Sequence, residues 1–177
     1  MKKIILAILL LPFTAQAEIV TTCKLTPTET VTITRNNKIA DTYVYFIQSG
    51  NSIPRPAFGT EDESRGSNVK AVCAGIKSKA AILLGEFTSN YMKGFALNRM
   101  GRIDFAEKIP PIMLYNSQDS MMVIFKTDKK WDSSNIYTIY KISGKFIHTD
   151  ESYGLDAIPA KNGYEITNLA RALHKIH

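Results

Sequence analysis

Residues 91–108 read YMKGFALNRMGRIDFAEK, and the fold is decided there. Within 102–108, Ile103 and Phe105 alternate with Arg102, Asp104 and Glu107 or Lys108. A period of two sends alternate side chains to opposite faces, so this is a half-buried strand. In 91–99, Tyr91, Phe95 and Leu97 share one face, while Met92, Gly94, Ala96 and Asn98 share the other. Met100-Gly101 separates the two runs. A glycine at that place marks a hairpin, because it accepts a positive φ without steric cost.

The same pattern extends outward through residues 69–147. Further strands are expected over 80–87, 111–115, 121–126 and 136–142. Residues 80–84 and 121–125 are continuously apolar, as in strands covered on both faces. Ser143-Gly144 predicts a second hairpin with 145–149 as its return strand, and polar turns fall at 116–120 and 127–135. Toward the N-terminus, 18–25, 29–35 and 42–48 alternate, with Asn36-Asn37 as a turn, and 69–76 adds another strand. Strands spaced roughly 8–12 residues apart, with no room for helical crossovers, predict an all-β, mostly antiparallel meander closed as a sandwich or barrel. One short helix is expected at 167–176, capped by Thr167 or Asn168, with Leu169, Leu173 and Ile176 on one face.

Residues 1–17 begin with Lys2 and Lys3, continue through an apolar run at 4–11 and end in Ala15-Gln16-Ala17. That is the pattern of a secretory signal peptide cleaved after Ala17. The apolar run is far short of the ~20 residues that span a bilayer. So compact a leader points to a bacterial chain, exported to the periplasm or beyond. No later segment reads as transmembrane. Residues 18–177 form a single β-rich domain, as expected for that length. Both cysteines, Cys23 and Cys73, survive cleavage, and an even count in an oxidising compartment predicts one disulfide between them.

The full chain carries a net charge of +6; without Lys2 and Lys3 it holds 20 basic and 16 acidic residues, or +4. Residues 69–149 contribute 12 basic and 6 acidic groups, whereas the flanking segments are each close to neutral. The β block is therefore the basic part, with Lys77, Lys79, Lys93, Arg99, Arg102, Lys126, Lys129 and Lys130 in turns or on outward strand positions. Such a surface either keeps strand edges from pairing or meets an anionic partner. Lipid headgroups, cell-wall polymer and acidic protein qualify; nucleic acid is not expected, since exported proteins rarely meet it. Residues 50–68 carry Pro54, Pro56, Gly59 and Gly66 without periodicity, and read as a long loop. Arg55, Phe58 and Arg65 are expected to be exposed there, on a lid or docking arm.

Motifs of catalysis are sparse. His148 stands two residues before Asp150, and that pair is the candidate for a small hydrolase. His174 and His177 have a spacing that holds a metal only with a third ligand, and no metal or other cofactor is expected. Ser67 and Lys70 match S-x-x-K, and Ser49-Gly50-Asn51 resembles the S-x-N element of penicillin-interacting serine enzymes; however, Lys70 opens a strand and no K-T-G occurs. Glu86, Asp104 and Glu107 lie beside Lys93, Arg99 and Arg102, where cross-strand ion pairs explain them. Trp131, set between Lys130 and Asp132 in a turn, is the candidate anchor of a binding surface with Lys129 and Lys130. These residues predict a non-catalytic exported protein that binds another protein or an anionic envelope component, as an inhibitor, an immunity-type factor or an envelope-associated factor.

Overall fold

The computed structural model describes residues 17–87, 91–127, 135–144 and 148–174. The expected signal peptide lies almost wholly outside them.

Two sheets make up the body. The first runs through β1 (Glu18–Lys24), β2 (Thr30–Ile39), β3 (Thr42–Ser49), β5 (Arg65–Ala74), β6 (Ala80–Glu86), β7 (Met92–Asn98) and β8 (Gly101–Glu107), in that spatial order. A two-residue strand, β4 (Arg55–Pro56), pairs with β3, and β12 (His148–Thr149) completes the far edge. The second sheet joins β9 (Met113–Asn116), β10 (Ser120–Lys126), β11 (Tyr137–Ser143), β13 (Ser152–Leu155) and β14 (Glu165–Asn168), in the order β13-β11-β10-β9-β14. The helix α1 (Leu169–His174) follows directly. The fold is thus mostly antiparallel β with one short C-terminal helix, as the alternation predicts. Each strand order has two ends, so among the described residues neither sheet closes into a barrel.

The pleat explains the layers. Ile82, Leu84, Ala96, Ile103 and Phe105 leave the first sheet on one face and meet Leu114, Met121, Val123, Phe125, Tyr140 and Ile142 of the second. Phe105 and Phe125 meet edge-to-face at 5.1 Å. Leu169 and Leu173 of α1 close this core. The opposite face of the first sheet carries Ala71, Leu83 and Phe95, over which β1–β3 curl to add Ile33 and Tyr45. β6 is therefore buried on both faces, and so is β10, whose other side packs with Ile139 and Ile166. Those are the two continuously apolar runs. Each fully buried Ile, Leu or Phe contributes about 1.5–3 kcal/mol over its exposed state.

Cys23 of β1 and Cys73 of β5 form a disulfide with Cα atoms 5.0 Å apart, as their number and context predict. It fastens the outermost strand of the curl back onto the middle of the same sheet.

Several expectations need correction. Asn36-Asn37 lie inside β2 rather than in a turn, and the loop expected over 50–68 ends where β5 begins at Arg65. Of the return strand expected over 145–149, residues 145–147 lie outside the described residues; His148–Thr149 run parallel to β8 as β12, and β13 takes the place beside β11. The C-terminal segment enters its helix only at Leu169, because 165–168 pair with β9 as β14. Asn168 does cap the helix, its Oδ1 accepting from the Arg171 N–H at 2.8 Å. Finally, Phe58 is not exposed. Only 5% of its surface meets water, and it packs on Phe87 and Phe95 at 4.8 and 6.0 Å. The buried Ser64 hydroxyl makes this possible, since it accepts from the Phe58 N–H at 2.8 Å and lies 2.7 Å from both the Phe58 and Thr60 carbonyls. Backbone groups that would hold this segment in water are satisfied internally. Arg55 is exposed, whereas Arg65 is half-buried and donates to the Asn37 carbonyl at 2.9 Å.

Candidate functional site

Four chain reversals and the approach to one strand meet at one end of the molecule. They are the β1–β2 turn at 25–29, the β5–β6 turn at 75–79, the β7–β8 turn at Arg99-Met100, the β9–β10 turn at 117–119, and the approach to β14 at 163–165. Antiparallel pairing brings alternate turns of a meander to the same end, so turns far apart in sequence become neighbours. Between them lie clefts of about 240 and 500 Å³, and a third of about 340 Å³ is closed on one side by Ser49-Gly50 at the end of β3.

The floor of this end is a buried amide relay. Asn98 Nδ2 donates to Asn116 Oδ1 at 2.9 Å, and Asn116 Nδ2 donates to the Ser78 carbonyl at 2.9 Å. Asn98 Oδ1 accepts from the Met100 and Gly101 N–H groups at 2.9 and 3.3 Å, shaping the hairpin. Both asparagines are buried, at 4% and 2% exposure, so each must be satisfied within the protein. Above this floor, the cleft of 240 Å³ is lined by Thr26, Ser117 and Gln118 together with Lys77, Lys79 and Arg99. Among the described residues no acidic side chain lines it. Arg99 is braced by a 2.8 Å bond from its Nη2 to the Gln118 carbonyl.

Next to it, the β5–β6 turn points three backbone N–H groups at one carboxylate. Glu165 accepts from Ile76 through Oε1, and from Lys77 and Ser78 through Oε2 at 2.9 Å each. Gly75 sets the turn: its φ is +94°, and a Cβ there would fall on the Ser78 carbonyl. Convergent N–H groups of this kind form an anion-binding concavity. Burial pushes the Glu165 carboxyl up, but the bonds from Ser78, Ile76 and Lys77 outweigh it and leave the group below the usual carboxylate range.

A second polar cluster lies on the outer face of β8. Arg102 stacks 4.2 Å over the Phe95 ring and binds both Asp104 oxygens, with the shortest contact at 2.6 Å. It also donates to the Ala57 carbonyl at 2.8 Å. His148 Nε2 lies 2.6 Å from the other Asp104 oxygen, so its partner is Asp104 and not the expected Asp150. The imidazole is 54% exposed, and the pair fastens β12 to β8. Lys93 reaches over the Phe58 ring at 4.4 Å, which makes Phe58 the buried base of this cluster.

The other candidates fall apart in space. Ser67 Oγ donates to Glu86 at 2.9 Å, whereas Lys70 Nζ donates to the Leu173 carbonyl at the end of α1. Bonds from Asn68 and Ser67 hold the Glu86 carboxyl below its ordinary range. Lys129, Lys130, Trp131 and His177 lie outside the described residues. His174 is exposed at the last turn of α1, and no three His, Cys, Asp or Glu side chains group as metal ligands among the described residues. No helix among them is long and apolar enough to cross a membrane. The alternation of strands named Lys77, Lys79 and Arg99 as outward residues. It gave no sign of Asn98, Asn116, Gln118 or Glu165, whose roles come from pairing across the two sheets.

No protein-family model, no curated protein and no solved structure matches this chain.

Proposed function

We propose that the chain is an exported, non-catalytic binding protein that holds an acidic segment of another protein at its turn-lined end. The observation that carries this reading is the cleft bordered by Lys77, Lys79 and Arg99, with no acidic side chain among the described residues that line it. Cations gathered in a concave polar site focus potential and favour an anionic partner over a neutral one. Thr26, Ser117 and Gln118 add donors and acceptors for the backbone of a bound peptide. The disulfide suits an oxidising compartment, in line with a signal peptide at 1–17.

The test uses the mature, oxidised protein and a short oligoglutamate peptide. Calorimetry should give a measurable affinity that weakens with added salt, and the triple change Lys77→Ala, Lys79→Ala, Arg99→Ala should lower it at least about tenfold. Equal binding by the triple variant removes the proposal. Binding of anionic lipid vesicles or cell-wall polymer in place of the peptide would redirect it to an envelope component.

A further inference from the structure

Building on that reading, we infer that Glu165 is a built-in competitor: its carboxylate occupies the Ile76–Lys77–Ser78 N–H cradle, and a carboxylate of the bound acidic segment replaces it there. Three donors aimed at two oxygens of one side chain form a recognition geometry for a carboxylate. The cradle sits in the wall between two clefts, since Lys77 and Ser78 line both the 240 Å³ cleft and the 500 Å³ one. Glu165 lines the larger cleft, and the cation-lined cleft adjoins it through Lys77, Ser78 and Asn116.

Exchange asks little of the fold. Glu165 lies at the start of β14, whose backbone stays on β9 through four residue pairs from Glu165–Asn116 to Asn168–Met113. Leu169 and Leu173 remain buried in the core behind it. Only the Glu165 side chain has to swing into the larger cleft, and every N–H keeps an oxygen throughout. A tethered competitor of this kind lowers apparent affinity by the fraction of time the cradle is filled. Its removal therefore tightens binding, whereas loss of an ordinary structural contact would weaken it or leave it unchanged.

The experiment compares the native mature chain with Glu165→Ala and Glu165→Gln, using oligoglutamate and inorganic phosphate as separate probes. Calorimetry gives affinity, and amide shifts of Ile76, Lys77 and Ser78 give location. Glu165→Ala should bind oligoglutamate about tenfold more tightly than the native chain, with Glu165→Gln in between and all three amides shifting on titration. Where Glu165→Ala fails to fold, Glu165→Gln alone decides by the same criterion. Unchanged or weaker affinity in the folded variants, or unmoved amides at 76–78, overturns the inference. If the native chain still binds the peptide through Lys77, Lys79 and Arg99, the proposed function survives that result. Absence of peptide binding to every form takes both down. Tighter phosphate binding without tighter peptide binding would assign the cradle to small anions and also overturn it.

Discussion

Asn98 and Asn116 join the two sheets through one buried side-chain hydrogen bond of 2.9 Å. Asn98 ends β7 and Asn116 ends β9, so this bond fixes where the turns of one sheet sit relative to those of the other. Both asparagines line the cleft between Lys77, Lys79 and Arg99.

Asn116→Ala should therefore destabilise the protein and blunt the cleft together. The substitution leaves the Asn98 amide and the Ser78 carbonyl without their partner in a buried place. An orphaned buried polar group costs about 1–3 kcal/mol. Urea unfolding reads the loss, and an unchanged midpoint would mean that water replaces the amide at no cost.

The Cys23–Cys73 bond closes a span of 50 residues. In the chain-entropy account a loop of that size contributes about 4 kcal/mol by restricting the unfolded chain. The double change Cys23→Ala, Cys73→Ala should remove most of that, and thiol reductant should lower the native chain to the same stability. Loss of under about 1 kcal/mol would show that β1 holds its place on β5 without the bridge.

Two carboxyls make opposite contributions to stability as pH changes. Burial pushes Glu107 up, and its hydrogen bond from Tyr140 at 2.9 Å only partly offsets this. A raised folded value means that its contribution is full below the ordinary carboxylate range and is lost as pH rises through the folded value. Glu165 is lowered, so its contribution is present above that range and is lost as pH falls through the folded value. Unfolding free energies from about pH 3 to pH 8 should rise less steeply with pH for Glu165→Gln than for the native chain, and more steeply for Glu107→Gln. Parallel curves for all three proteins would contradict this. The Tyr140 hydroxyl, pushed up to about 12 by burial and the Glu107 charge, stays protonated throughout.

Arg102 and His148 share Asp104 but differ in depth. Arg102 stacks on the fully buried Phe95 and binds Asp104 through several N–H groups, whereas His148 is more than half exposed. Arg102→Lys keeps the charge and loses the planar fork, and should cost about 1–2 kcal/mol. His148→Ala should cost under about 1 kcal/mol, as exposed ion pairs do. Thermal unfolding that ranks them in reverse would make β12 a principal fastening of the sheet.

Much of this body was legible as period and composition. The alternation of Ile103 with Phe105 and the apolar runs of β6 and β10 express their structure locally, and the cysteine pairing follows from there being only two. What stayed hidden is non-local. β13 and β14 are four residues each, too short to show a period, and they form because β11 and β9 offer open edges. Phe58 lies among prolines and glycines, and only the Ser64 hydroxyl six residues on makes its burial affordable in hydrogen bonds. The cationic turns were visible one by one. Their convergence with Asn116 and Glu165 is a property of how two sheets pack, which no window of sequence contains.

The most direct measurement is photo-crosslinking of an oligoglutamate peptide carrying a benzophenone to the mature, oxidised chain, with crosslinked residues read by mass spectrometry. Crosslinks should gather on 25–30, 76–79, 98–99 and 116–118, and should be lost when Lys77, Lys79 and Arg99 are replaced by alanine. Crosslinks spread evenly over the surface, or centred on Lys93, Arg102 and His148 at the other cluster, would contradict it.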